Sequence, residues 1–205
     1  MNGLLRQKWH DLLHAWAVTP SLADEIFDDI RQHYAGTDRF YHSLDHIGAM
    51  LETVASLTSF ARNLKAVKLA VWLHDVIYDS RASDNEERSA EYADQLCEKL
   101  SIPQGREVAS LILKTKTHEA GEDVDAQVLL DADLAILGAN EPAYRTYADQ
   151  IRQEYAWVPE PDYRMGRRHV LERFLARPRI FRLLAQLEEP ARRNISAESA
   201  RLAGV

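Results

Sequence analysis

The sequence predicts an all-α fold, and three observations carry that reading. Glycine and proline together make up only 15 of the 205 residues, and both are sparse inside the periodic stretches. Apolar residues recur at three- and four-residue spacing along most of the chain, the mark of amphipathic helices. The strict alternation of apolar and polar residues expected of half-buried strands is nearly absent.

The elements follow in order. Leu5, Trp9, Leu12, Leu13 and Trp16 make a first stripe. Thr19, Pro20 and Ser21 interrupt it, with Ser21 the expected N-cap of a second helix. Ile26, Phe27, Ile30 and Tyr34 continue that helix, and after Gly36 a third face is formed by Leu44, Ile47, Met50, Leu51, Val54 and Leu57. Residues 66–73 are apolar almost all round apart from Lys68, which places this helix in the interior. Further helices are expected over about 85–100, 104–117, 126–138, 141–156, 163–176 and 178–187, with ends uncertain by ~2–4 residues. The alanine-rich stretch from Pro190 reads as a last helix or a frayed tail. Tyr144, Tyr147, Ile151 and Tyr155 form an aromatic stripe that reads as core, as do Trp9, Trp16 and Trp72. No repeat, low-complexity segment or long linker stands out, so one domain over residues 1–205 is expected.

Composition limits the function. Hydrophobic residues are 46% and charged residues 28%, ordinary for a globular chain. The single cysteine, Cys97, leaves no internal disulfide framework and fits a reducing compartment. No run of 18 apolar residues occurs, so no membrane span is expected. The amphipathic N-terminus does not read as a signal peptide, and the expected location is the cytoplasm. A net charge of -7 argues against long nucleic acid as a partner. It leaves room for a small phosphorylated substrate held by a cation and local basic groups.

Three short motifs carry chemistry. His42 and His46 are four residues apart, and on a helix they would share a face near the start of a core-packed segment. His74 and Asp75 close the most hydrophobic segment of the chain. Burying an imidazole and a carboxylate there is costly without strong partners, and a divalent metal is such a partner. Asp131 and Asp133 sit in the apolar run from Leu129 to Leu134. Two residues apart on a helix, they point about 200° from each other. One can face a site while the other caps a helix or makes a structural hydrogen bond, and the spacing alone does not choose between them.

The order His…His-Asp…Asp resembles the HD superfamily of metal-dependent phosphohydrolases. Tyr41-His42-Ser43-Leu44-Asp45-His46 is similar to the Tyr-His-Asn-x-x-His motif of the cyclic-nucleotide phosphodiesterases in that superfamily. His74-Asp75-Val76 and Ala132-Asp133-Leu134 are similar to their His-Asp-Val and Ala-Asp-Leu. The match spans roughly residues 39–134. The rest resembles bacterial predicted HD hydrolases of unassigned substrate, through Asp84, Asn85, Glu86, Glu87, Ser89 and Ala90, through Asp133, Leu134, Ile136, Leu137 and Gly138, and through Glu154 and Tyr155. The chain departs from the phosphodiesterases at Ile77 and Tyr78, where they carry a further Asp-His, and only His118 lies between the doublet and the last aspartate.

The resemblance implies a single compact HD-type helical bundle, with a motif core at 39–134 and flanking helices at 1–38 and 141–205. It implies His46, His74, Asp75 and Asp133 as metal ligands and His42 as the acid that protonates the leaving group. One divalent transition metal is expected (Mn, Fe, Co, Ni or Zn, with Mg also admissible), and a second is not. The implied reaction is hydrolysis of a phosphate ester, a nucleotide or other small phosphorylated metabolite, by a metal-activated water. Glu86 is the candidate for orienting that water, although acidic residues also suit the first turn of a helix. Arg39, Lys114 and His118 are candidate substrate contacts, with Lys116 a further basic residue of the same kind. Two rivals stand beside this reading: a di-iron oxygenase on the same fold, and a non-catalytic module that binds metal and nucleotide. A homodimer is compatible with the sequence.

Overall fold

The computed structural model describes residues 2–204. The described chain is all-α, with ten α-helices in order and two short 3-10 turns. They are α1 (Asn2–His14), α2 (Pro20–His33), α3 (Leu44–Ser56), α4 (Leu64–Leu73), α5 (Asn85–Lys99), α6 (Gly105–Thr115), α7 (Val124–Leu134), α8 (Glu141–Glu154), α9 (Glu160–Leu175) and α10 (Glu188–Ala203). The chain divides into two compact units, residues 1–130 and 131–205. No described helix is long and apolar enough to cross a membrane.

The first unit is built around α4. Ala66, Val67, Leu69, Ala70, Val71, Trp72 and Leu73 are all fully buried, as the apolar run predicts. Each large apolar side chain removed from water here contributes roughly 1.5–3 kcal/mol. Trp72 is the hub: the rings of Trp9 and Phe27 meet it edge to face at 5.3 and 6.0 Å. Trp9 in turn donates its indole N–H to Ala23 O, tying α1 to α2. The start of α4 is fixed by Asn63, whose side chain accepts from Ala66 N, and by the buried Asp125, which accepts from the backbone of Arg62 and Asn63. Helices α5 and α6 approach so closely at Gly105 that a Cβ there would lie 2.7 Å from Asp94 Oδ1 and 3.0 Å from Cys97 Cβ.

The second unit packs α10 on α8 and α9. Its interior holds an ion pair: Arg167 donates through Nε and Nη2 to the two oxygens of Glu198, and Tyr144 adds its hydroxyl to the same carboxylate. The two charged side chains are 9% and 5% exposed, so the bidentate geometry and the tyrosine are what offset their desolvation. Tyr144 and Ile151 are buried, as the aromatic stripe predicts.

Two sequence expectations are corrected, and one left open is decided. The second helix is capped at Thr19 with Pro20 in its first turn, one turn position ahead of Ser21; proline suits that place because its missing N–H would go unpaired there anyway. Residues 178–187 are not a helix beyond the 3-10 turn Ala185–Leu187. Their amides are captured by carboxylates instead: Ile180 and Phe181 donate to Glu188, and Arg182, Leu183 and Leu184 donate to Asp131. The stretch around Pro190 is an ordered helix that ends in Gly204, whose left-handed φ of 81° lets its N–H close back on Ala200 and Arg201.

Candidate metal centre

Helix α4 ends at Leu73, and His74 is its C-cap. On a continuing helix, adjacent residues project about 100° apart. His74 keeps helical backbone angles (φ -62°, ψ -34°) as the C-cap, and its Nε2 lies 3.0 Å from Asp75 Oδ2. His46, in the first turn of α3, brings its ring to 5.4 Å from that of His74. One ligand atom from each of His46, His74 and Asp75 falls within 4.8 Å of the others. Both histidines are buried, while Asp75 is half-buried.

The protonation of His74 follows from its neighbours. Its Nδ1 lies 3.0 Å from Val71 O. A carbonyl only accepts, so Nδ1 carries the proton and donates. In the neutral ring Nε2 is then a lone pair, aimed at a carboxylate oxygen. Two acceptors at that separation repel, and a cation between them, a proton or a metal ion, removes the repulsion. The donor set therefore fits a divalent transition metal, which takes neutral imidazole and ionised carboxylate. Ligand atoms about 2.0–2.2 Å from one tetrahedral ion stand about 3.3–3.6 Å apart, so the group closes further around an ion than the separations seen here. The group can hold a metal ion, and the negative end of the α4 dipole adds to the attraction for a cation.

The main chain around the doublet is held by side chains. Tyr34, at the end of α2, donates its hydroxyl to Trp72 O and accepts from the backbone N–H of Asp75. Burial first, and then the Asp75 charge, push the Tyr34 phenol well above its ordinary range. Arg39 donates through Nη1 to Asp75 O at 2.6 Å and through Nη2 to Val76 O at 3.0 Å, with a longer contact to His42 O. Its guanidinium also lies over the rings of Tyr34 and Tyr78. Further on, Ser89 both accepts from Ile77 N and donates to Ile77 O, and Asn85 does the same with Asp79. Residues 85 and 89 are one helical turn apart, so α5 grips alternate residues of the 77–79 strand-like segment.

The other expected residues fall as follows. His42 is not on the helix: α3 begins at Leu44, and Ser43 is extended (φ -126°, ψ 176°), so His42 sits in the preceding turn. That extended residue breaks the one-face relation the spacing implied. His42 still stands beside the group, 6.3 Å ring to ring from His46, and its ring stacks on Tyr78 at 4.2 Å. Arg39, expected as a phosphate contact, directs its guanidinium to backbone carbonyls. Lys114 pairs with Asp123, and Lys116 with Glu87 and Ser83 O. Glu86 is half-buried in the first turn of α5. His118 is half-buried with a left-handed φ of 52° and lies outside the three-residue group. Asp131 is buried and accepts from three successive backbone amides, which is the structural role left open for one of the two aspartates. Asp133 is half-buried in the second unit. Of the remaining histidines, His10 pairs with Asp24, and His33 stands near Asp29 and Tyr92.

Sequence reasoning did not find Tyr34 as part of this centre. It reads as the last apolar position of α2, and nothing local marks its hydroxyl. Comparison with protein-family models, with curated proteins and with solved structures returns no match to this chain.

Proposed function

We propose that this chain is a metal-dependent phosphohydrolase of the HD type, acting on a small phosphate ester. The observation that carries the reading is the convergence of His46, His74 and Asp75, with His74 Nε2 3.0 Å from an Asp75 carboxylate oxygen in a buried setting. A centre of two imidazoles and one carboxylate holds one ion per chain, and the sequence resemblance adds Asp133 as a fourth ligand. When bound, a divalent ion supplies Lewis-acid polarisation of a phosphoryl oxygen and a water of lowered pKa.

The chain's own residues divide the remaining work. His46, His74 and Asp75 fix where the phosphoryl group is drawn. His42 holds a proton beside them, for delivery to the departing ester oxygen. Proton delivery of this kind is worth typically ~10²–10⁴ in rate. Tyr78 stacks on the His42 ring and fixes its plane. Glu86, at the start of α5, is the reading's water-orienting carboxylate.

The test is direct. Protein purified without chelator is assayed for bound metal, and for phosphate release from nucleotides and aryl phosphates with added Mn, Co, Ni, Fe, Zn or Mg. The expected result is about one ion per chain and turnover that Asp75→Asn abolishes, with Asp133→Ala weakening metal retention. His42→Ala is expected to keep the metal and lose turnover. No metal uptake under any loading condition overturns the reading. Metal uptake with oxygen consumption and no phosphate release moves the chain to the oxygenase chemistry.

A further inference from the structure

Nothing in the local sequence after α4 stops a helix. His74-Asp75-Val76-Ile77-Tyr78-Asp79 contains neither glycine nor proline, the two residues that commonly terminate one. The β-branched Val76 and Ile77 lower helix propensity only slightly. Yet α4 ends at Leu73 with His74 as its C-cap, and the next N–H, that of Asp75, goes to the Tyr34 hydroxyl.

The groups that a continuing helix would pair internally are taken by side chains from one nearby segment. Trp72 O receives the Tyr34 hydroxyl, and the hydroxyl oxygen of Tyr34 in turn accepts the N–H of Asp75. In a continuing helix the Asp75 N–H would go to Val71 O, but that carbonyl receives His74 Nδ1. Asp75 O and Val76 O receive the two arms of Arg39. These bonds hold backbone groups from Val71 to Val76, on both sides of Asp75. Arg39 and Tyr34 also touch each other, with the guanidinium over the phenol ring at 5.0 Å, so they form one clamp.

We propose that Tyr34 and Arg39 are positioning residues of the metal centre: their clamp on Trp72 O, Asp75 N, Asp75 O and Val76 O ends α4 and sets the direction of the Asp75 carboxylate. This inference rests on the metal-binding reading above. It assigns the one arginine of the 39–46 motif region a role on the protein's own backbone. Outer-sphere groups that orient ligands typically affect metal affinity by about 10–100-fold. The guanidinium fork reaches two carbonyls at once, which the single ammonium of a lysine does not reproduce.

The experiment is a cobalt(II) titration of wild type, Tyr34→Phe, Arg39→Gln and Arg39→Lys, read by the visible absorption of the bound ion, with far-ultraviolet circular dichroism on each protein. Tyr34→Phe keeps the ring and removes one oxygen, so the fold is kept. Expected are a roughly ten-fold or greater weakening of cobalt affinity and an altered absorption band in Tyr34→Phe and Arg39→Lys, at unchanged helix content. If Arg39→Gln does not fold, those two variants decide. Wild-type protein that binds cobalt, with variants matching it in affinity and spectrum, overturns the clamp and leaves the metal reading standing. Wild-type protein that binds no cobalt overturns the metal reading, and the inference falls with it.

Discussion

Replacing Asp131 tests the assignment of the two aspartates on α7. Its carboxylate is 2% exposed. It accepts from Arg182 N at 2.9 Å, Leu183 N at 2.6 Å and Leu184 N at 2.8 Å. In Asp131→Ala those three donors lose a charged acceptor, and each such bond contributes roughly 1.5–3 kcal/mol net. The three share one carboxylate, so their energies do not add in full. A loss of about 3–5 kcal/mol is expected, the range found when one partner of a buried charged pair is removed. At about 2–4 °C per kcal/mol for a chain of this size, the melting temperature falls by about 6–20 °C. The assay is thermal denaturation, joined with hydrogen exchange on a peptide covering 178–187, where the amides of residues 182–184 lose protection. Metal content per folded chain stays at the wild-type value. A melting temperature within about 2 °C of wild type refutes the capping argument, given the slope above. Loss of metal with those amides still protected refutes the assignment of Asp131 as structural.

Three further outcomes follow from the same coordinates. Glu198→Ala strands Arg167 in the second unit and is expected to cost about 3–5 kcal/mol in denaturant unfolding, whereas a cost below about 1 kcal/mol, typical of an exposed pair, contradicts the burial of that network. A Cβ at Gly138 would lie 2.6 Å from Leu187 Cβ, so Gly138→Ala is expected to destabilise by about 1–3 kcal/mol through overpacking; a neutral result shows that Leu187 moves freely. Burial pushes the Cys97 thiol up to about 11 from its ordinary 9.0. The folded chain therefore holds that proton longer than the unfolded chain does, and the stability it contributes is full below pH 9 and lost as pH rises through about 11. At neutral pH a disulfide reagent is expected to modify Cys97 only as fast as the protein opens, and rapid stoichiometric labelling of the native chain contradicts it.

The helical class, the buried α4 and the His74–Asp75 doublet were legible in the sequence because each depends on local pattern. An apolar run with no polar face has one place to go, and a charged doublet at its end needs a partner. The geometry of Asp131 and Asp133 was legible as far as periodicity reaches: the two point apart on α7, and Asp131 takes a structural role by accepting from the amides of Arg182, Leu183 and Leu184. What was not legible is set by long-range capture of backbone groups. Ile180, Leu183, Leu184 and Leu187 have helical spacing, but Asp131 and Glu188 take the amides that a helix would use. His42 and His46 have helical spacing too, but one extended residue, Ser43, separates the turn from the helix. The role of Tyr34 depends on a hydroxyl meeting a carbonyl 38 residues away, and no window of local sequence contains that meeting.

The charge of the first unit makes a final demand on the proposed reaction. Residues 1–130 carry 21 acidic and 13 basic side chains, whereas residues 131–205 carry 11 and 12. His46, His74 and Asp75 lie in the acidic unit. A phosphate dianion approaching it meets a net repulsive field, and a cation at His46, His74 and Asp75 has to outweigh that field at short range. Salt screens the diffuse repulsion over about 10 Å at 0.1 M but leaves contacts of a few ångströms largely intact. Binding of an anionic ester is therefore expected to improve with moderate salt, the reverse of electrostatic steering. The measurement is kcat/KM for an aryl phosphate against sodium chloride, at saturating metal, with a monoanionic diester for comparison. A rise with salt that is steeper for the dianion supports the argument. A fall with salt refutes it, because it would require a positive field at the mouth of the site, one the residue count of this unit does not supply.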